Sequence, residues 1–409
     1  MVRSLLALLL ILFPGSAVAA GLEYSGYLKN FTLGARWPQQ GFFFASGTRS
    51  LFGSLVRARL QVRWRLAGST DFTVAYDLTP EWRSVGLPSP DDVGIASSRR
   101  SYRVRDLHDP WYSSSAGGSG DALLLRQNLD RAFLTLRLAG ADLYVGRQAI
   151  AWGSAQWVNA TDVLTPFAYS ELDVEDRTGV DAVRLRVPLG DLAELDTGWV
   201  AGHDFAFRES AGFLRTRFNV ADTDVALLGV VFREHGLLGF DVSRSLWGAG
   251  VYLEAGRFLP FAFARGSSSA PDFWRLSTGA VYTLPDGTTL SAEYHFSGIG
   301  AERREEYAAV LGREEVREAA IYLLGRHYAG LATSRQLTPL LSGGVGALVN
   351  LQDGSLLLAP NLEYSLSDNL YLGGGGYWSL GSAASDVGGA GDEFSYYPDF
   401  FFLSLRYYY

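Results

Sequence analysis

Residues Leu55–Leu66 read LVRARLQVRWRL, two chemistries alternating residue by residue. In an extended strand Val56, Ala58, Leu60, Val62, Trp64 and Leu66 fall on one face, and Arg57, Arg59, Gln61, Arg63 and Arg65 on the other. A water-soluble sheet buries its apolar face in a core and wets its polar face. A membrane barrel inverts this, with apolar side chains toward lipid and charged ones toward a wet lumen. This stretch alone fits both settings.

The same alternation recurs on both sides of it. Segments of this kind span about 22–34, 51–67, 70–83, 123–139, 141–152, 178–188, 192–206, 211–219 and 223–234. The series continues at about 237–246, 248–258, 273–284, 288–298, 323–334, 339–351, 355–366, 369–381 and 395–409. Tight turns join alternate neighbours, among them Gly68-Ser69, Gly140, Pro188-Leu189-Gly190, Ala221-Asp222, Pro285-Asp286-Gly287 and Ser367-Asp368-Asn369. Long connections lie at the opposite ends, at about 35–50, 84–122, 153–177, 259–272, 299–322 and 382–394. Short turns on one side and long loops on the other predict an all-β, antiparallel transmembrane β-barrel of about eighteen strands (16–18). The turns and both termini then face the periplasm, and the loops face outward.

Both ends of the chain agree. Residues 1–20 combine Arg3, an apolar run from Leu5 to Phe13 and the small-residue motif Ala17-Val18-Ala19, a secretory signal peptide that leaves 21–409 as the barrel. Its apolar run is too short for a spanning helix, and no later stretch is long enough. At the other end Phe401, Leu403, Leu405, Tyr407 and Tyr409 share a face. This looks like the terminal strand by which barrel assembly machinery recognises its clients, with Tyr407 and Tyr409 in the interfacial aromatic girdle. The expected location is the outer membrane of a Gram-negative bacterium, with its lipid as one partner.

Composition narrows the chemistry. With no cysteine, disulfides, thiolate metal sites and covalently attached haem are excluded. The net charge of −8 argues against nucleic acid as a partner. Lys29 is the only lysine among the basic residues. A preference for the planar guanidinium fork and a genome rich in Arg codons both account for that.

The most distinctive segment is Leu143–Phe167, LYVGRQAIAWGSAQWVNATDVLTPF. Its Gly146, Arg147, Gln148, Trp152, Gly153, Asn159, Thr161 and Asp162 resemble a Gly-Arg-Gln stretch followed by a tryptophan-bearing loop in porins of the alginate-export type. The likeness runs from Leu143 to Arg186, and the resemblance implies an acidic oligo- or polysaccharide as solute. Strict alternation sets Arg147 on the lipid face with Leu143 and Val145, so a bulge at Gly146 is expected to turn it into the lumen. Asp162 then makes an Asx turn or pairs with Arg147. A constrained loop without a ligand is the plainer reading.

Parity places the lumen charges. Arg57, Arg59, Arg63, Arg65, Arg131, Arg137, Arg184, Arg186, Arg215 and Arg217 point inward in the first half, against Asp77, Glu81, Glu194 and Asp196. In the second half Asp224, Asp241, Glu254, Glu293 and Glu363 point inward, against Arg275 and Arg406. One wall is then basic and the opposite one acidic, a transverse field that orients polar or anionic solutes, with a small or oligomeric anion as the expected partner. A lumen of ordinary ion pairs is the alternative.

Residues 301–320 have helical periodicity, with Tyr307, Val310 and Leu311 on one side, and read as a plug or a solvated surface helix. The loop at 84–122, with Pro88, Pro90, Asp91, Asp92 and a Gly/Ser-rich run, reads as flexible. Of the five histidines, His108, His203, His235, His295 and His327, none has metal-ligand spacing, and no serine elbow stands beside inward His295. A passive porin-like channel with no cofactor and no catalysis follows. The competing expectation is a scaffold barrel sheathing a periplasmic partner such as a multihaem cytochrome, whose haems would be the partner's own.

Overall fold

The computed structural model describes residues 21–36, 38, 50–83, 101–107, 110–115, 122–166, 173, 175–264, 270–383 and 390–409. The signal peptide, His108 and most of the loop at 84–122 lie outside them. Among the described residues there are nineteen strands: β1 (Leu22–Arg36), β2 (Ser50–Ala67), β3 (Thr70–Arg83), β4 (Tyr112–Ser115), β5 (Ala122–Leu138), β6 (Ala141–Gln148), β7 (Val180–Pro188), β8 (Ala193–Val200), β9 (Ala211–Val220) and β10 (Thr223–Phe232). The rest are β11 (His235–Leu246), β12 (Ala249–Leu259), β13 (Phe273–Thr283), β14 (Thr289–Ser297), β15 (His327–Thr338), β16 (Leu341–Asn350), β17 (Leu356–Ser367), β18 (Leu370–Leu380) and β19 (Asp399–Tyr408). The short β4 pairs only with the outer end of β5. The other eighteen form a closed antiparallel ring in which β3 pairs with β5 and β19 returns to β1. Closure leaves no edge strand in the ring of eighteen, which a lipid environment demands of a sheet.

Outward rows are apolar and exposed, as lipid contact requires. Trp64 and Leu66 of β2, Leu214 of β9, Leu227 of β10, Leu331 of β15, Leu362 of β17 and Phe401, Leu403, Leu405 and Tyr407 of β19 are all exposed. Arg59 and Asp77, on the opposite faces of β2 and β3, are buried. At the seam Tyr409 continues the ladder, exchanging backbone hydrogen bonds with Gly26 at 3.0 Å in both directions. Its ring lies over Gly26, where a Cβ would sit 2.7 Å from its hydroxyl, and that hydroxyl donates to the Arg59 carbonyl at 2.9 Å. The last residue thus bridges β1 to reach β2.

Three strand boundaries are shorter than alternation suggests. β6 stops at Gln148 and β15 begins at His327 because the apolar residues beyond these points, Ile150 and Trp152 in one case and Ile321 to Leu324 in the other, are buried inside the barrel. β8 instead stops at Val200 because the chain turns through positive φ at Asp204 and Phe205 and leaves the Phe205 ring exposed. Ile150, Trp152, Val163 and Leu164 join Tyr102, Ile299 and the helical segment in one buried cluster against β7–β13. That segment forms α1 (Tyr307–Leu311) and α2 (Glu314–Glu318), with Tyr307, Val310 and Val316 buried. It is folded into the mouth and is not a surface helix.

A buried polar hub fastens this plug. The Glu393 carboxylate accepts from Leu324 N (2.8 Å), Asn350 Nδ2 (2.8 Å) and the Tyr328 hydroxyl. Asp353 accepts from the Tyr307 hydroxyl (2.7 Å) and from Glu393 N (2.7 Å). Burial, reinforced by Asp353, raises the Glu393 carboxyl from its ordinary value to about 7, against the hydrogen bonds that lower it. The folded state therefore holds a proton that the open chain releases at lower pH. The stabilisation is complete below the ordinary carboxylate range and is lost as pH rises through about 7. The opening free energy at Leu324 and Ile321, taken from amide exchange after correction for the intrinsic base-catalysed rate, is expected to fall between pH 5 and 8, and Glu393→Gln to flatten that profile. An opening free energy independent of pH in the unsubstituted protein would contradict the hub's role.

Candidate functional site

The connection between β6 and β7 crosses the lumen. Its first half lies on the wall of β11–β16. The Glu293 carboxylate accepts from the backbone N–H groups of Gln156 (2.7 Å), Trp157 (3.2 Å) and Val158 (3.0 Å), and from the Tyr252 hydroxyl (2.6 Å). Glu254 accepts from Ala155 N (3.1 Å), Thr161 N (2.7 Å) and the Thr161 hydroxyl (2.7 Å). Arg275 donates to the Asn159 carbonyl at 3.0 Å, and Asn159 Nδ2 to the Trp152 carbonyl at 3.0 Å. Glycine lets the loop lie this close: a Cβ on Gly330 or Gly346 would meet the Trp157 ring at 2.8 or 2.7 Å.

Its second half lies on the facing wall. Lys29 Nζ is 2.9 Å from Asp173 and 2.5 Å from Glu175, and Arg57 Nη1 is 3.0 Å from Asp173. Gly179 N donates to Asp130 at 2.9 Å, and Arg131 Nη2 to the Arg177 carbonyl at 2.6 Å. In an eighteen-strand ring β2 and β12 stand nine strands apart, so the two anchorages are diametrically opposed. A loop pinned at both sides of a bore narrows it.

The expected opposition of a basic and an acidic wall is therefore replaced by another arrangement. Glu254 and Glu293 are inward, as parity places them, but the loop backbone covers them. On the basic side most arginines are neutralised within their own wall. Arg57 and Arg59 share Asp77 (2.9 and 3.1 Å), and Arg59 also grips Asp130 (2.8 Å), which Arg131 holds at 2.6 Å. Arg63 and Arg137 share Asp71 (2.8 and 2.6 Å), Arg65 pairs with Glu23, Arg184 forks onto Asp196 (2.8 and 2.6 Å) and Arg186 meets Glu194 (2.5 Å). Arg215 and Arg217 differ. Both stand on the inward row of β9, across from Asp196 and Glu194, and neither makes a hydrogen bond or ion pair among the described residues.

The bulge also sits elsewhere than expected. Both ladders run through Gly146 without a shift. The irregularity is on β5, where Ala75 pairs with Arg131 and Tyr76 with Leu129, so that Asp130 is the extra residue and its carboxylate is buried in the Arg59–Arg131 network. Gly146 has φ +121°, and a Cβ there would lie 2.2 Å from the Ala132 carbonyl, so glycine is required. Arg147 is buried without facing an open lumen. It forks onto Asp181 (2.7 and 2.9 Å) and donates to the carbonyls of Leu129 (3.0 Å) and Arg105 (2.8 Å). Gln148 Nε2 donates to the Ala182 carbonyl at 3.3 Å. Asp162 makes the expected local turn, accepting from Thr165 N at 3.0 Å, but its ion pair is with Arg177 at 3.3 Å and not with Arg147. Trp152 packs edge-on against Phe213 with ring centroids 4.8 Å apart.

Sequence reasoning missed Asp173, Glu175, Asp130 and Ser277. Ser277 stands across from His295, its Oγ 2.8 Å from Nδ1 and 2.5 Å from the Val158 carbonyl to which it donates. With its proton committed to that carbonyl, the hydroxyl tethers the loop.

No protein-family model and no curated protein matches the sequence. Solved structures do match in shape. OccK5 (OpdH) of Pseudomonas aeruginosa superposes with a TM-score of 0.56 at 10% identity over 95% of this chain and 98% of that one. The fold is that of an outer-membrane porin. A BenF-like porin from Pseudomonas fluorescens Pf-5 matches at TM-score 0.54 and 11% identity, again over 95% and 98% of the two chains. Pseudomonas aeruginosa OpdK, solved with vanillate, gives 0.54 at 9% identity and the same coverage. The closed ring and the lipid-facing apolar band are those of a barrel that crosses a membrane with its strands, the architecture of these porins. At such identities the likeness carries the architecture only.

Proposed function

We propose that the protein is a porin-like channel for passive passage of small anionic solutes, with Arg215 and Arg217 as its selecting charges. The observation that carries this reading is the contrast inside the lumen. A clamped loop narrows the bore, most wall arginines are neutralised, and this guanidinium pair remains uncommitted. In a low-dielectric constriction two unpaired guanidinium groups attract an anion and can fork onto a carboxylate. The vanillate in the OpdK structure is a carboxylate.

An acidic oligo- or polysaccharide, the solute implied by the alginate-export likeness, is the finer alternative for the same arginines, and a long chain would have to thread past the clamped loop. The loop also occupies the bore that a sheathed partner would fill, which favours the channel over the scaffold. Tyr407 and Tyr409 serve, on this reading, as the assembly signal.

Reversal potentials in a potassium chloride gradient test the proposal. The unsubstituted protein is expected to prefer anions, and Arg215→Glu with Arg217→Glu to reverse the sign. Indifference to both substitutions in a conducting barrel would remove the role given to these residues.

A further inference from the structure

Three carboxylates of the returning loop, Asp173, Glu175 and Asp176, land on donors of one wall. Lys29 is 1% exposed and holds both oxygens of Asp173 (2.9 and 3.1 Å) as well as Glu175 (2.5 Å). Its ammonium also lies 4.0 Å from the centroid of the Tyr27 ring, a cation–π contact. Arg57 adds a bond to Asp173 at 3.0 Å, and the Tyr408 hydroxyl donates to Glu175 at 2.8 Å. Beside them the Tyr27 hydroxyl donates to Asp176 at 2.7 Å, and Arg59 Nη2 is 3.7 Å from the same carboxylate. These donors come from three adjacent strands, β19, β1 and β2, and among the described residues every strand-borne group bonded to Asp173 or Glu175 is a donor.

Two features separate this cluster from an ordinary structural ion pair. Glu175 is 47% exposed and Asp173 18%, so water and solute reach the carboxylates although the ammonium beneath them is buried. And the ligands are two carboxylates from positions two apart on one loop, presented together as a free diacid would present them. Elsewhere in the basic wall the neutralising acids, Asp71, Asp77, Asp130, Asp196 and Glu194, are strand residues that cannot leave. Asp173 and Glu175 stand instead on the connection between β6 and β7, so exchanging their bonds to Lys29 for those of a solute breaks no strand pairing of the ring.

We infer that Lys29, Arg57 and Tyr408 form a dicarboxylate-binding site in the lumen that the chain fills with its own Asp173 and Glu175, and that a solute diacid enters by displacing them. The inference rests on the anion-passage reading above and adds a second, self-occupied site to it. Because the loop is tethered, its carboxylates act at an effective concentration in the millimolar range. Free diacid must compete with that.

Single-channel recording with succinate as probe tests the competition. Neutralising the competitor with Asp173→Asn and Glu175→Gln is expected to tighten succinate binding, read as current interruptions, by about tenfold or more. Butyrate, with one carboxylate, is expected to gain much less. Adding Lys29→Met to the double variant is expected to abolish the gain. Equal succinate affinity in the unsubstituted and double-variant channels overturns the self-occupied site. If the channel still prefers anions in a salt gradient, that result leaves the proposed function standing, whereas a cation-preferring unsubstituted channel removes the function itself. If the double variant does not assemble, Glu175→Gln alone, at its half-exposed position, is decisive: a tighter succinate response supports the site and an unchanged one overturns it.

Discussion

A barrel carrying Glu254→Ala and Glu293→Ala is expected to conduct about twofold or more above the unsubstituted channel, because the loop that narrows the lumen loses its anchors on one wall. Three backbone N–H groups and one tyrosine hydroxyl lose their acceptor at Glu293, and two N–H groups and a hydroxyl lose theirs at Glu254. Hydrogen bonds to a charged partner contribute about 1.5–3 kcal/mol each, and stranded buried donors cost more than the lost bonds alone. The Trp157 ring, the Arg275–Asn159 bond and the Ser277–Val158 bond remain, and they are too few to hold the segment. Glu254→Gln with Glu293→Gln keeps a carbonyl acceptor at each position and is expected to fall between the two. Conductance equal to that of the unsubstituted channel in a heat-modifiable, folded double-alanine variant would mean that the clamp does not set the bore.

The second large effect concerns stability. Arg59 is 4% exposed and joins Asp77 on β3 to Asp130 on β5. Arg59→Met removes the cation and leaves two buried carboxylates with fewer partners, a change that costs about 3–5 kcal/mol when a buried pair is broken. Arg57 and Asn128 still serve Asp77, and Arg131 and Gly179 still serve Asp130, so the lower end of that range is expected. Arg186→Met is the contrast. Its pair with Glu194 is partly exposed near the periplasmic end, and such pairs contribute about 0–1 kcal/mol. Thermal unfolding in detergent micelles should separate the two variants clearly. Similar midpoints would argue against the network as a structural element.

The barrel itself was legible because membrane strands obey a period of two and every residue outside reports the solvent it meets. The rows through Trp64, Leu214 and Leu403 announce lipid, and the Arg59 row announces the interior. The same logic reached only half of the site. It placed Glu254 and Glu293 inward without showing that a loop already occupies them, since the loop residues that do so contribute backbone N–H groups, which no sequence pattern marks. It also marked Gly146 as special, while the extra residue lies at Asp130 on the neighbouring strand. A glycine that permits close approach and a bulge that takes up a residue look alike in sequence.

Strand number, orientation, the aromatic terminus and the inward parity of the arginines follow from the sequence alone, because each depends on residues next to one another in the chain or on their alternation. Which arginines stay uncommitted depends on residues far apart, such as Lys29 and Asp173 or Arg59 and Asp130. So does the path of the β6–β7 connection from Glu293 on one wall to Lys29 on the other. Those pairings arise only when the ring closes and sets β2 opposite β12, and charge in a lumen is decided by the partner it finds across that space.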